Sequence, residues 1–244
     1  MKQNKYDDEK FFEKYSQMDR SVKGLDGAGE WKTLETMLPD FQGKRVLDLG
    51  CGFGWHCQYA VEHGAETVTG VDLSEKMLAV AKEKTDPRIC YLHMPIEDIA
   101  FEENAFDVVI SSLAFHYIPS FARIAEKVAG CLVQGGDFVF SVEHPVFTAY
   151  GTQDWYYDEN GKILHFPVDN YFFEGKREAE FLGEKVIKYH KTLTTYLNGL
   201  LHNGFLITGV VEPQPSAELL QTVPGMEEEL RRPMMLIISA KKNE

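Results

Sequence analysis

Short apolar runs alternate with amphipathic stretches through the middle of the chain. The apolar runs, which predict buried strands, lie at residues 44–50, 67–74, 88–95, 105–112 and 137–145. Apolar residues at helical spacing predict helices at 54–64, 75–84 and 119–132, the last ending near Gly135 and Gly136. Near-continuous apolar strands that alternate with helices predict parallel βαβ units, with helices covering both faces of the sheet.

The chain before the first strand is mostly polar, and its apolar residues follow a helical pattern. Phe11, Phe12, Tyr15 and Met18 recur near helical spacing. Residues 1–42 are therefore predicted to form helices that lie outside the sheet, as a lid.

The alternating pattern stops at Pro145, where an aromatic-rich segment begins at residues 147–173. Within it, 155–166 predicts a hairpin with Asn160 and Gly161 in its turn. A helix at 191–205 and strands at 206–213 and 233–241 complete the chain. No clearly periodic helix separates these two strands, so we expect them to pair directly and antiparallel.

Composition and charge narrow the classes of partner. The net charge of −13 disfavours nucleic acids and anionic membranes, which bind through Lys and Arg. The four cysteines form no C-x-x-C pair, and no Cys–His group has zinc-binding spacing, so neither a disulfide framework nor a metal is expected. The N-terminus lacks the apolar segment of a signal peptide, which predicts a cytoplasmic protein.

Glycines follow the first strand in the stretch VLDLGCGFGWHC, residues 46–57. A strand that leads through a glycine turn into a helix is typical of nucleotide-type cofactor sites. A dinucleotide site needs G-x-G-x-x-G, but Trp55 occupies the sixth position here, and the third glycine is Gly54. The spacing therefore disfavours a dinucleotide-dependent oxidoreductase, which we keep as an alternative.

The stretch from Asp48 to Gly54 resembles the first motif of class I S-adenosylmethionine-dependent methyltransferases. The resemblance covers residues 43–143 well and the last helix and two strands more loosely. It implies that the turn, with Gly50, Cys51, Gly52 and Gly54, holds the methionine part of the cofactor. It also implies that Asp48 lies near the amino group of that part.

Later strand ends supply the rest of the implied cofactor site. Asp72 ends the second strand at the spacing of an acid that binds ribose hydroxyls, and the resemblance places Leu73 on the adenine. After the third strand, proline stands where many relatives have the aspartate near the adenine amino group. We expect the backbone N–H of Ile96 and the carboxylate of Glu97 or Asp98 to serve there instead. Leu113, after the fourth strand, is implied near the methionine portion.

Methyl transfer needs orientation and a dry pocket more than a fixed catalytic motif. Where the acceptor must lose a proton, we expect His144 or His116 to act as the general base. We also expect both to contact the acceptor, together with residues of the lid and of the aromatic segment: Tyr15, Arg20, Phe147, Tyr171 and His190. The aromatic segment is predicted to roof the pocket.

The sequence thus predicts one α/β domain with a doubly wound, mostly parallel, seven-stranded Rossmann-like sheet and an antiparallel last strand. Its parts are the lid at 1–42, the cofactor-binding core at 43–144, a substrate cap inserted at 145–190 and a C-terminal part at 191–244. The expected activity is methyl transfer from S-adenosyl-L-methionine to O or N of a small aromatic or apolar metabolite, by a monomer or homodimer. A non-catalytic protein that binds this cofactor remains a second alternative.

Overall fold

The computed structural model describes residues 4–243. Its strands, in chain order, are β1 Arg45–Leu49, β2 Thr67–Asp72, β3 Cys90–His93, β4 Phe106–Ser112, β5 Leu132–Glu143, β6 Tyr156–Tyr157, β7 Ile163–His165, β8 Gly175–Phe181, β9 Glu184–His190, β10 Phe205–Val211 and β11 Met235–Lys242. Its α-helices are α1 Glu9–Ser16, α2 Asp19–Val22, α3 Trp31–Met37, α4 Trp55–Glu62, α5 Glu75–Lys84, α6 Phe121–Cys131, α7 Pro145–Ala149, α8 Leu193–Leu201 and α9 Ala217–Thr222. Short 3-10 helices lie at Lys5–Asp7, Gly24–Gly27, Ile96–Asp98, Phe115–Tyr117 and Met226–Arg231.

Seven strands form one sheet in the order β10-β11-β5-β4-β1-β2-β3. Strand β11 is antiparallel to both of its neighbours, and the other strands of this sheet run parallel to one another. The predicted fold class is therefore confirmed. From β1 the chain adds β2 and β3 on one side, and it then crosses back to place β4 on the other side of β1. In open α/β sheets, ligands bind at the carboxyl ends of the strands at such a point.

The structure departs from the sequence prediction at the start of β5 and between the last two strands. Helix α6 ends at Cys131 rather than near Gly135 and Gly136, because buried Leu132 already pairs with Phe106 of β4. The two glycines lie within β5, where Gly135 has φ +71° beside a register shift against β4. A short helix, α9, lies between the last two strands, which nonetheless pair directly.

The inserted segment contains two hairpins, of which the sequence prediction found one. Strands β6 and β7 form the predicted hairpin, with Gly161 at φ +79° in its turn. Strands β8 and β9 form a second, longer hairpin. The apolar pattern that usually indicates a strand is absent there, because charged residues, as in KREAEF, occupy the exposed face. The other face is buried and includes Ala179 and Val186.

Helices cover both faces of the sheet, and the N-terminal region divides between two places. Trp31 and Leu34 of α3 pack on Val139 and Ile237, so this helix covers the sheet itself. Phe11 of α1 instead packs on the second hairpin. Residues between Asn4 and Arg20 line the cavity at the carboxyl edge of the sheet, whereas Leu25 and Ala28 pack with α3.

Within residues 4–243, no helix is both long enough and apolar enough to cross a membrane. The cysteines are free, and Cys51, Cys57 and Cys131 are buried whereas Cys90 is exposed.

Candidate active site

A cavity of about 720 Å³ opens at the carboxyl edge of the sheet. At one end it is bounded by the glycine turn after β1 and the loops after β2 and β3; at the other end lie the lid, the loop after β4 and the second hairpin. Of the predicted site residues, the following line it: Tyr15, Arg20, Gly50, Gly52, Asp72, Leu73, Ile96, Glu97, Leu113 and His116. Cavities of several hundred Å³ are typical of small-molecule sites.

The glycine turn is held against the neighbouring strand by two backbone hydrogen bonds. The N–H groups of Gly50 and Cys51 donate to the carbonyl of Val71 at 2.8 and 3.0 Å. Gly50 has φ +79°, and a Cβ there would lie 2.4 Å from the Cβ of Ala114. Gly50 therefore lets the loop after β4 come close to the turn, and this contact shapes the floor of the cavity.

Two members of the predicted motif face the protein rather than the cavity. Gly54 has φ +77°, and a Cβ there would lie 2.1 Å from the Tyr91 hydroxyl. Cys51 is buried, and its sulfur would be 2.9 Å from a Cβ placed at Gly70. Neither residue lines the cavity, so their observed contacts are packing contacts around the turn.

Asp72 binds the turn and the following helix at the same time. Its Oδ2 accepts from the Gly52 N–H at 2.9 Å, and its Oδ1 accepts from the Ser74 N–H at 2.8 Å. Burial raises the pKa of this carboxyl. Each carboxylate oxygen has more than one lone pair, so Asp72 can also accept hydrogen bonds from a ligand.

Asp48 lies beneath the turn, fully enclosed. The Cys57 thiol donates to its Oδ2 at 3.4 Å, whereas Oδ1 has no hydrogen-bond partner within residues 4–243. Burial raises the pKa of Asp48 to about 7. A buried carboxylate oxygen without a donor is costly, and such an orphan points to a missing ligand group.

Glu30 is a member of the site that sequence reasoning missed. Arg20 and Ser112 donate to its Oε1 at 2.9 and 3.0 Å, and its Oε2 has no partner in the described chain. Burial disfavours the charged form of Glu30, but Arg20 together with hydrogen bonds, including that from Ser112, lowers its pKa. Glu30 precedes α3 in the stretch GAGEW, where it resembles an ordinary exposed acid, so no sequence signal identified it.

Two residues that were not predicted from the sequence, Asn4 and Asp7, connect the lid to the loop after β2. Asn4 donates from Nδ2 to the Leu73 carbonyl at 3.0 Å. Asp7 accepts from the Ser74 hydroxyl at 2.5 Å and from the Lys76 N–H at 3.1 Å. These contacts place the first described turn of the chain directly above Asp72.

Leu113 adopts a strained backbone conformation where the loop after β4 reaches the cavity. Its φ is +52°, in the left-handed region that favours glycine. Its N–H donates to the Ser141 carbonyl at 3.0 Å, which anchors this geometry. Strain of this kind persists where the surroundings enforce it, and it is concentrated at functional sites.

His116, in its neutral form, lines the cavity at the end away from the glycine turn. Burial lowers its pKa to about 3. Its Nδ1 accepts from the Glu143 N–H at 3.3 Å, and its Nε2 lies 3.9 Å from Glu143 Oε1. Because Nδ1 uses its lone pair on a backbone donor, the ring proton is assigned to Nε2.

Glu143, at the end of β5, also lines the cavity and belongs to a buried polar network. Lys188 of β9 donates to its Oε1 at 2.5 Å, and Gln153 donates to its Oε2 at 2.6 Å. Burial works against ionisation, but His116 and Lys188 outweigh it and lower the pKa of Glu143. No local sequence pattern indicated this network, because Lys188 and Gln153 are distant from Glu143 along the chain.

The remaining wall is aromatic and apolar, but the aromatic segment contributes none of it. The Tyr6 and Tyr117 hydroxyls are 3.2 Å apart, and the ring of Tyr15 meets that of Tyr6 edge-on. The second hairpin adds Phe181, Val186, Ile187 and Tyr189 to the lining. Within the predicted cap at 145–190, β8 and β9 contribute to the cavity lining, whereas residues 147–173 do not.

Besides Asp48, Cys51 and Gly54, four residues predicted to contact the acceptor lie outside the cavity lining. His144 accepts from the Val146 N–H, and its Nε2 lies 2.8 Å from Glu212 Oε1 without hydrogen-bond alignment. Phe147 stacks on Phe166, at a separate small pocket that includes Trp155 and Arg232 in its lining. His190 contacts the Thr148 hydroxyl and the Tyr171 carbonyl, and the Tyr171 hydroxyl accepts from the N–H of Leu193. These contacts join the insertion to the core.

This chain is similar in sequence and in structure to methyltransferases. A family model described as a methyltransferase domain matches residues 47–140. A crystal structure of an S-adenosylmethionine-dependent methyltransferase from Mesorhizobium loti is 44% identical, with a TM-score of 0.83 over 90% of this chain and 100% of that one. A protein from Listeria monocytogenes, assigned to the same class, is 61% identical, with a TM-score of 0.86 over 91% of this chain and 100% of that one.

A curated relative extends the similarity to nearly the full length. An uncharacterized protein of Haemophilus influenzae is 35% identical over 251 aligned positions, covering 98% of this chain and 97% of its own. The similarity therefore includes the lid and the insertion as well as the residues that the family model matches.

Proposed function

This chain belongs to the S-adenosylmethionine-dependent methyltransferases, and we propose that it methylates O or N of a small aromatic or apolar metabolite bound in the cavity. The cofactor is S-adenosyl-L-methionine, as in the relatives. The residues that line the cavity support this class of acceptor.

The residues at the glycine-turn end fit this cofactor. Its amino-acid part carries an ammonium group, and the unpartnered Oδ1 of Asp48 and Oε2 of Glu30 are buried acceptors suited to it. Arg20, held by Glu30, suits the carboxylate of the same part. In the loops after β2 and β3, Asp72 suits the ribose hydroxyls, and Leu73 and Ile96 offer apolar contacts to the adenine.

When bound, the cofactor supplies a methyl group on a positively charged sulfur, and the chain's residues orient the acceptor and exclude water. Tyr6, Tyr15 and Tyr117 close over the cavity from the lid and the loop after β4. Their pKa values are raised by burial, so they remain neutral hydrogen-bond donors. Such a wall fits an acceptor with an aromatic or apolar body and few charges.

Of the two histidines considered as general bases, only His116 lines the cavity. With its proton on Nε2, it is placed to orient the acceptor by donating a hydrogen bond. His144 is engaged with Val146 and Glu212 instead, so we leave it out of the proposed chemistry.

The single observation that carries the proposal is the continuity of the cavity from Asp72 to the aromatic wall. The test uses S-adenosyl-L-methionine with a radiolabelled methyl group and a defined pool of small phenols, alcohols and amines. We expect label in small-molecule products. Binding of the cofactor with no product would favour the non-catalytic alternative, and binding of NAD instead would favour the oxidoreductase.

We further propose that the chain acts as a cytoplasmic monomer or homodimer on small molecules rather than on nucleic acids or membranes. The net charge of −13 supports this, because both surfaces repel an acidic protein. Labelling of total RNA in the same assay would contradict it.

A further inference from the structure

The acceptor end of the cavity contains a polar pair that the proposed function leaves unexplained. Glu143 and His116 come from the carboxyl ends of neighbouring strands, β5 and β4, and both line the cavity. The side chain of Glu143 is 15% exposed, and that of His116 is 3% exposed. Polar groups in such a position fix the orientation of whatever binds beside them.

The negative charge of Glu143 is already balanced by Lys188, which does not line the cavity. Lys188 contacts it at 2.5 Å and also donates to Gln153 at 2.7 Å, and the same ammonium lies over the rings of Tyr117 and Phe181. Arg20 and Lys191 add further positive charge near His116. A cationic ligand is therefore disfavoured beside Glu143, and a neutral hydrogen-bond donor is favoured.

The distance between the pair fits one bridging atom. Nε2 of His116 and Oε1 of Glu143 are 3.9 Å apart, too far for a direct hydrogen bond. An atom between them must accept from Nε2–H and donate to the carboxylate. A hydroxyl oxygen does both, whereas an ammonium has no lone pair and an anion has no proton.

The number of lone pairs also distinguishes a hydroxyl oxygen from an amine nitrogen as the atom that could accept the methyl group. A neutral amine has one lone pair, which a hydrogen bond from His116 would occupy, leaving none to accept a methyl group. A hydroxyl oxygen has two lone pairs, so one remains available while the other accepts from His116. The pair therefore selects an oxygen nucleophile.

We propose that Glu143 and His116 together bind a hydroxyl group of the acceptor, which makes the chain an O-methyltransferase. This inference rests on the proposed function and narrows its acceptor atom to oxygen. The hydroxyl oxygen forms a bond to the methyl carbon, the bond from that carbon to sulfur breaks with its electron pair going to sulfur, and the hydroxyl proton passes to Glu143. His116 is a positioning residue that donates throughout.

The first test needs no turnover. In protein labelled with nitrogen-15 at histidine, two-bond proton–nitrogen correlation spectra distinguish the two tautomers. The resonances of His116 are assigned by their loss in His116→Phe. We expect a protonated Nε2 and an unprotonated Nδ1. A proton on Nδ1 would overturn the inference whatever the activity.

The second test identifies the acceptor atom with carbon-13-labelled methyl cofactor and a probe pool of matched phenols, alcohols, arylamines and alkylamines. We expect methyl ethers only. Methylated amines alone would overturn the hydroxyl inference and leave the proposed function intact. Cofactor binding without any product would overturn the proposed function itself, so the two failures are distinguishable.

Variants separate a role in acceptor binding from a role in folding. For the ether-forming probe, we expect Glu143→Gln and His116→Phe to lower kcat/KM about 100-fold. His116→Gln keeps an N–H donor and should retain more of the rate. Cofactor affinity by calorimetry should change by less than about twofold. The control is Glu178→Gln, an exposed carboxylate on β8, and it should match the wild type. Wild-type ether formation by Glu143→Gln would overturn the inference.

Discussion

Gly52 and Gly54 stand two positions apart in one turn, yet they meet different surroundings. Gly52 lines the cavity, whereas Gly54 fits beneath the Tyr91 hydroxyl. The motif identified the turn correctly, but it could not distinguish the glycine that faces a ligand from the glycine that packs. Tyr91 lies on β3, and only the folded chain brings it to the turn.

Gly54→Ala is predicted to destabilise the fold. The added methyl group would lie 2.1 Å from the Tyr91 oxygen, and φ +77° adds about 1–2 kcal/mol of backbone strain. Urea unfolding should show the loss. Adding Tyr91→Phe should recover part of it by removing that oxygen, while the backbone strain remains. No recovery in the double variant would show that the contact with Tyr91 is not the cause.

Asp48 is predicted to make the cofactor-free protein less stable as pH rises. Its pKa is about 7 in the folded chain, against a value near 3.9 when unfolded. Between these values the folded state binds more protons, so the free energy of unfolding falls with rising pH across that window.

The measurement is urea unfolding without cofactor at about pH 4 and about pH 8. Asp48→Asn should lose less stability between the two than the wild type. Asp72, whose pKa is also raised by burial, should leave a residual decline. An equal decline in stability in both proteins would show that folding does not raise the pKa of Asp48.

At the scale of elements, strands buried on both faces and helices with clear caps were predictable from sequence. Helix α5 begins and ends where its pattern predicts, and Ser74 caps it by accepting from the Met77 N–H. The second hairpin was missed because its strands carry alternating charged residues and bury only one face. The acceptor wall therefore could not be assigned to it from local pattern alone.

Ser74 caps α5 and also holds the lid, so Ser74→Ala should have two effects. Loss of the cap costs about 1 kcal/mol of stability. Loss of its hydrogen bond to Asp7 should also loosen the lid and speed release of S-adenosylhomocysteine in stopped-flow measurements.

Ser216→Ala provides the matched control, because Ser216 caps α9 in the same way, by accepting from the Leu219 N–H. It should cost similar helix stability and leave the release rate unchanged. Equal release rates in the two variants would show that the Ser74 contact does not hold the lid.

At the scale of the whole molecule, the site is assembled from distant parts of the chain. The lid contacts the second hairpin through Lys14, which donates to the Leu182 carbonyl at 2.8 Å, and it contacts the cofactor end through Asn4. Glu30 and Glu143 belong to the site only because these parts meet. Residues predicted from the sequence line both ends of the cavity, with Asp72 at one end and Tyr15 and His116 at the other. The second hairpin was not predicted, because long-range packing rather than a local pattern brings it to the cavity.

Titration calorimetry with S-adenosyl-L-methionine tests whether the cofactor binds at the Asp72 end of this cavity. We expect the wild type to bind it in the micromolar range, about −8 kcal/mol, and Asp72→Ala to bind at least about tenfold more weakly. Partly buried Asp86, which pairs with Arg88 and does not line the cavity, supplies the control Asp86→Ala, which should bind as the wild type does. Unchanged affinity in Asp72→Ala, or binding of NAD instead of S-adenosyl-L-methionine, would contradict the account.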